Sequence, residues 1–227
     1  LNLTHEICIE SWLNVSKAEA DFMGRVKELS TTNLSNISLN SFFEPDVIRV
    51  SGTIYAVAYH DNISAYITTF RMTDDGVFQG VLDTKPIPVT YFFEPDIIQI
   101  HNTVFAIGFG AIDSQIGAKN QLVTLNIYGN GTIGPIIDSF DFPQYYGRSA
   151  TISNVGSTVY AIAFGGSDTQ LLPTGYLVTI SIDNQGYIGS SVVDKMKFPQ
   201  PFCRGTSIVP VGPGIYAIAY NEEGNSS

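Results

Sequence analysis

The chain has 227 residues, a mass of 24.7 kDa and a formal net charge of −10 from 21 acidic and 11 basic side chains. That is enough chain for one domain with a sizeable core, and too little positive charge to hold nucleic acid or an anionic membrane surface. No apolar run reaches membrane-spanning length and the first residues lack the basic-then-apolar order of a signal peptide, so neither is expected here.

At the N-terminal end "EICIESWLNV" alternates well enough to be a strand. In "SKAEADFMGRVKEL", Ser16 and Glu19 have capping-box spacing, and Phe22, Val26 and Leu29 recur at helical intervals. A short helix is expected there, the alternative being that "DFMGRVKEL" is itself a strand. "NISLNSF" is expected as a strand because "SFFEPD" from Ser41 matches "YFFEPD" from Tyr91 at a spacing of 50 residues.

From there one phrase organises the chain. "GTIYAVAY", "NTVFAIGF", "STVYAIAF" and "PGIYAIAY" carry their shared aromatic at Tyr55, Phe105, Tyr160 and Tyr216, in steps of 50, 55 and 56 residues. Each phrase is rich in β-branched and aromatic residues and follows a short apolar run such as "DVIRV" or "DIIQI". Apolar residues fill both alternating sets, Ile54, Ala56 and Ala58 on one face and Tyr55, Val57 and Tyr59 on the other, as a strand buried on both faces requires. A third strand ("AYITTFRM", "QLVTLNIY", "GYLVTISI") is followed by a hairpin turn at Asp75-Gly76, Asn130-Gly131 or Gln185-Gly186, and then by a more polar fourth strand.

Four antiparallel strands per repeat, with two-sidedly apolar inner strands, call for a sheet sandwiched between copies of itself. An all-β fold is expected, a β-propeller of about four blades; the competing β-sandwich needs one polar face on most strands. The reading is a single domain, 1–227, with N-terminal strands in 1–43, repeats at 44–94, 95–147 and 148–203, and a half repeat in 204–227. The last supplies two strands and the N-terminal part the missing pair, so that the final blade is composite. Closure within one chain, closure between chains and a starting point in a longer array all fit this phase.

Three signals point outside the cell. N-x-S/T sequons stand at Asn2, Asn14, Asn33, Asn36, Asn62, Asn130 and Asn225, half of the 14 asparagines, as expected of a glycosylated exterior or of asparagines crowded into turns. Cys8 and Cys203 fall in the two half-blades, where a disulfide would clamp the ring; the loop-entropy model values such a bond at about 4–5 kcal/mol. It would need an oxidising compartment, and two unrelated buried thiols are the alternative. The acidic surface suits contact with salt or divalent cations.

Signals for chemistry are sparse. His5, His60 and His101 lack metal-ligand spacing and are expected as solvated turn residues. Glu44, Glu94, Arg148 and Arg204 stand just before the first strand of their repeats, in equivalent places to within a residue. Around a propeller's axis they would form a mouth able to hold a sugar or small polar ligand, with Asp46 and Asp96 adding carboxylates suited to Ca²⁺; the other reading is that they only pair with neighbours or start a strand. The turns "TDDG" and "DNQG" lack the S-x-D-x-G spacing of sialidase-type propellers, and a glycosidase needs two carboxylates at a set separation.

The phrases "GTIYAVAY", "STVYAIAF" and "GIYAIAY", with "LVTISIDNQGYIG" and "VVDKMKF", resemble the propeller-type repeats of cell-surface proteins of methanogenic archaea, from about residue 42 to the end. The resemblance implies surface structure or adhesion and no catalytic residues. The expected function is that of an extracellular or cell-surface, non-catalytic interaction module, the alternative being a carbohydrate-binding or glycoside-hydrolysing propeller. Its expected partners are surface proteins, glycans or copies of itself, met through "GAIDSQIGAKN", "GGSDTQLLPTG" and the N-terminal segment.

Overall fold

The computed structural model describes residues 14–20, 26–33, 43–60, 64–89, 91–113, 117–167, 174–201 and 203–222. All of the regular structure among them is β. The strands β1 (Asn14–Ala20) and β2 (Val26–Asn33) form an antiparallel hairpin. The first full unit is β3 (Phe43–Ser51), β4 (Ile54–His60), β5 (Ala65–Met72) and β6 (Phe78–Ile87), paired in chain order. The second begins with β7 (Tyr91–His101), β8 (Val104–Asp113) and β9 (Gly117–Ile127). Its last strand is the first part of the 22-residue β10 (Ile133–Asn154), which pairs with β9 up to Tyr145.

The rest of β10 pairs with β11 (Val159–Ser167) and so opens the third unit, which continues with β12 (Thr174–Ser181) and β13 (Asp194–Pro201). A final hairpin, β14 (Cys203–Gly212) and β15 (Ile215–Glu222), begins a fourth unit. Three four-stranded antiparallel units and two separate two-stranded hairpins therefore account for the described chain, and no ladder joins β1–β2 to β15 among the described residues.

The helix expected from the spacing of Ser16, Glu19, Phe22, Val26 and Leu29 does not form: Val15 to Ala20 pair with Val26 to Thr32 as antiparallel strands, Leu29 falling at a register shift. β-branched Val15, Val26, Thr31 and Thr32 favour an extended chain, and Gly24 weakens a helix across the middle of the segment. The alternative that made "DFMGRVKEL" a strand agrees with β2 over residues 26–29, while residues 21–25 lie outside the described residues. "NISLNSF", Cys8, His5 and most of "EICIESWLNV" lie outside the described residues.

Packing follows from the two-sided phrase. Each unit has a face of small residues and a face of large ones. Ala56, Ala58, Ala65 and Ile67 of the first unit pack against Phe105, Ile107, Phe109 and Val123 of the second. Ala106 and Leu122 of the second pack in the same way against Ile162, Phe164, Tyr176 and Val178 of the third. Large against small lets successive sheets approach at core density. The first strands touch in sequence, β3 with β7, β7 with β10 and β10 with β14.

The fourth unit breaks the pattern. Ala217 and Ala219 of β15 are exposed, whereas their equivalents Ala56, Ala58, Ala161 and Ala163 are buried. Val209 and Ile215 on the same hairpin are 51% and 61% exposed. Its other side is held to the third unit by a Phe198–Tyr220 ring stack with centroids 5.0 Å apart.

Candidate functional site

One cavity of about 300 Å³ takes its lining from all four first strands: Pro45 and Asp46 of β3, Glu94, Pro95 and Asp96 of β7, Ala150 and Thr151 of β10, and Gly205 and Thr206 of β14. A bulge brings them there. In every first strand the register slips at the same place, between Phe43 and Asp46, Phe93 and Asp96, Arg148 and Thr151, and Arg204 and Ser207. A bulge bends its strand and re-aims the side chains beside it. At equivalent positions within it, Gly205 has φ +56° and Glu94 φ +42°; glycine tolerates that left-handed conformation, and Glu94 adopts it with strain.

The expected mouth is therefore assembled in part. Asp46, Glu94 and Asp96 line the cavity. The pairing places Arg148 and Arg204 opposite Gly165 and Asn221, level with Phe43 and Phe93, one residue before the glutamate position. The side chains of Glu44, Arg148, Arg204 and Cys203 lie outside the described residues.

What the aspartates do is visible in their hydrogen bonds. The Ile97 N–H donates to Asp46 Oδ2 at 2.9 Å, and the Ile152 N–H donates to Asp96 Oδ2 at 2.5 Å. Each carboxylate thus holds the first strand of the next unit. Where the third unit has Thr151 in the aspartate position, its hydroxyl donates to the Thr206 carbonyl, and the Thr206 hydroxyl donates to the Ala163 carbonyl at 3.0 Å. Burial pushes the Asp96 carboxyl up to about 7 from its usual 3.8, against the pull of the Ile152 N–H, and the charge of Asp46 and a hydrogen bond with it add to the rise. Two carboxyls in contact, one of them protonated near neutrality, resist mutual repulsion.

A second set of bonds joins the outer strands, and sequence reasoning missed it. Asp83 Oδ2 accepts the Ile133 N–H, and Asp138 Oδ2 accepts the Ile188 N–H, both at 2.8 Å. Opposite these aspartates, Thr69 donates to the Gly131 carbonyl and Thr124 to the Gly186 carbonyl. Asn120 adds a bond to the Gly165 carbonyl at 2.9 Å. The signal was present in the sequence: an aspartate ends "VLD", "IID" and "VVD", and a threonine sits inside each third strand. Hydropathy reading treats both as polar interruptions of a strand.

His60 is a correction. It is 5% exposed and sets its ring edge-on to Phe93 at 5.9 Å, because it ends a strand sandwiched between units, while His101 is exposed as expected. Asn130 is exposed at its turn, its Oδ1 accepting the Thr132 N–H. Asn14 and Asn33 face each other across the open end of β1–β2. The side chains of these two and the sequons at Asn2, Asn36, Asn62 and Asn225 lie outside the described residues. Among the described residues no three His, Cys, Asp or Glu side chains are placed to share a cation, and no helix is long and apolar enough to cross a membrane. No family model matches the chain, and no curated protein matches it.

Proposed function

We propose that the chain is a four-unit β-propeller, closed by a composite last blade, that serves as a non-catalytic interaction module at the outer surface of a cell. The observation that carries this reading is the commitment of the cavity's carboxylates to architecture: Asp46 and Asp96 each hold a backbone N–H of the next unit. The carbohydrate-hydrolysing alternative needs two carboxylates that face substrate across a gap, and these two are bonded to each other and to the fold.

Radial closure is supported by the four first strands that line one cavity and by the small face of β14–β15, exposed at Ala217 and Ala219, with an outer edge that pairs with no strand among the described residues. The rigid stack would present the hairpins around residues 110–120 and 165–175 to surface proteins, glycans or further copies of itself. The exposed sequon at Asn130 fits an exterior location.

A non-reducing peptide map of the natively produced monomer tests both halves of the proposal. The expected result is a Cys8–Cys203 linkage within one chain and glycan on Asn130. Free thiols together with an unmodified Asn130 would remove the surface reading, and a linkage only between chains would move closure to an assembly.

A further inference from the structure

We infer that the hairpin β1–β2 docks against the third unit through Thr179 and Asp194, as the third and fourth strands of the fourth unit. The inference rests on the reading of a closed ring and adds the contact that registers the closing strands.

The two complete junctions obey one rule. A threonine hydroxyl of the third strand donates to the carbonyl of the next unit's turn glycine, and the aspartate paired with it accepts the N–H two residues beyond that glycine. The third unit carries the same pair, Thr179 opposite Asp194. Asp194 Oδ1 already accepts its neighbour's N–H from Lys195, as Asp83 does from Thr84 and Asp138 from Ser139. Its side chain is otherwise exposed, and among the described residues no amide of a following unit meets it.

The sequence holds one further stretch of the right form. "DFMGRV", ending at Val26, repeats the spacing of "DNQGYI", ending at Ile188. Its glycine keeps the period, with steps of 52, 55 and 55 residues from Gly24 through Gly76 and Gly131 to Gly186. The pairing agrees: Ala20 opposes Val26 as Met72 opposes Phe78, Ile127 opposes Ile133 and Ile182 opposes Ile188. The site continues an existing interface, since β14–β15 already sits on the third unit and, among the described residues, no strand pairs with the outer edge of β15 beside it. Charge favours the match too, with Arg25 and Lys27 flanking the amide that would meet the Asp194 carboxylate.

Backbone amide exchange on the full chain, followed by NMR at two protein concentrations, tests this. The expected result is slow exchange at Val26 that quickens about tenfold or more in Asp194→Asn, as loss of a charge-assisted bond should produce. Ile133 should respond instead to Asp83→Asn, which serves as the internal reference. If Val26 ignores Asp194→Asn while those β15 amides not bonded to β14 are protected, the ring stands and the inference falls. If those β15 amides also exchange freely, both fall. Protection of Val26 that weakens on dilution assigns the hairpin to a second copy and overturns the docking within one chain.

Discussion

Asp96 is the residue where structure and titration meet. Its folded carboxyl holds a proton that the unfolded chain releases near 3.8, so the folded state binds more protons between there and about 7. Its contribution to stability is therefore fully present below that window and is lost as pH rises through it. Asp96→Asn keeps an oxygen for the Ile152 N–H and removes the ionisation. Denaturant midpoints of the variant relative to wild type should improve from pH 5 to about pH 7 and level off above it. A difference that stays flat with pH would show that burial and the Asp46 contact do not hold this proton. The sequence displayed "EPD" twice and suggested a ligand mouth; that the aspartate grips the next strand depends on a bulge and a neighbour 51 to 56 residues away, which no local pattern encodes.

At the scale of the element, the hairpin turns do two things at once. Gly131 and Gly186 have φ of +92° and +95°, and each turn is pressed against the preceding unit. A Cβ on Gly186 would lie 2.8 Å from Ile137 Cδ1 and 3.0 Å from Val104 Cγ1, whereas one on Gly214, at φ +68°, would meet nothing within 4 Å. Gly214→Ala should thus cost only the backbone strain, about 1–2 kcal/mol, and Gly186→Ala distinctly more, read as the shift in urea midpoint. Equal losses would mean that the turns do not bear on the interface. The turns themselves were legible, since a glycine in a short polar gap between apolar runs has one common use. Their role as plugs was not, because it belongs to the contact between units. The N-terminal segment failed in the opposite sense: its capping-box and helical spacings are genuine local signals, overridden by pairing along β1–β2.

For the whole molecule, stacked units with bonds only to their neighbours would unfold progressively if the stack were open and together if it were a ring. Calorimetry of the monomer should give a single transition whose calorimetric and van't Hoff enthalpies agree; a broad transition with a lower van't Hoff value would indicate an open stack. From "FFEPD" onward the sequence by itself determined the strands, their order, the turn glycines and the apolar character of both sheet faces. Those follow from local conformational preference and from a repeat that must bury both sides of its sheet. Only the tertiary structure decided which aspartates and threonines fasten one unit to the next, that His60 is buried, and that four first strands share one cavity. Such contacts join residues about fifty positions apart, and a polar side chain in a strand reads the same whether it faces water or the backbone of a neighbouring sheet.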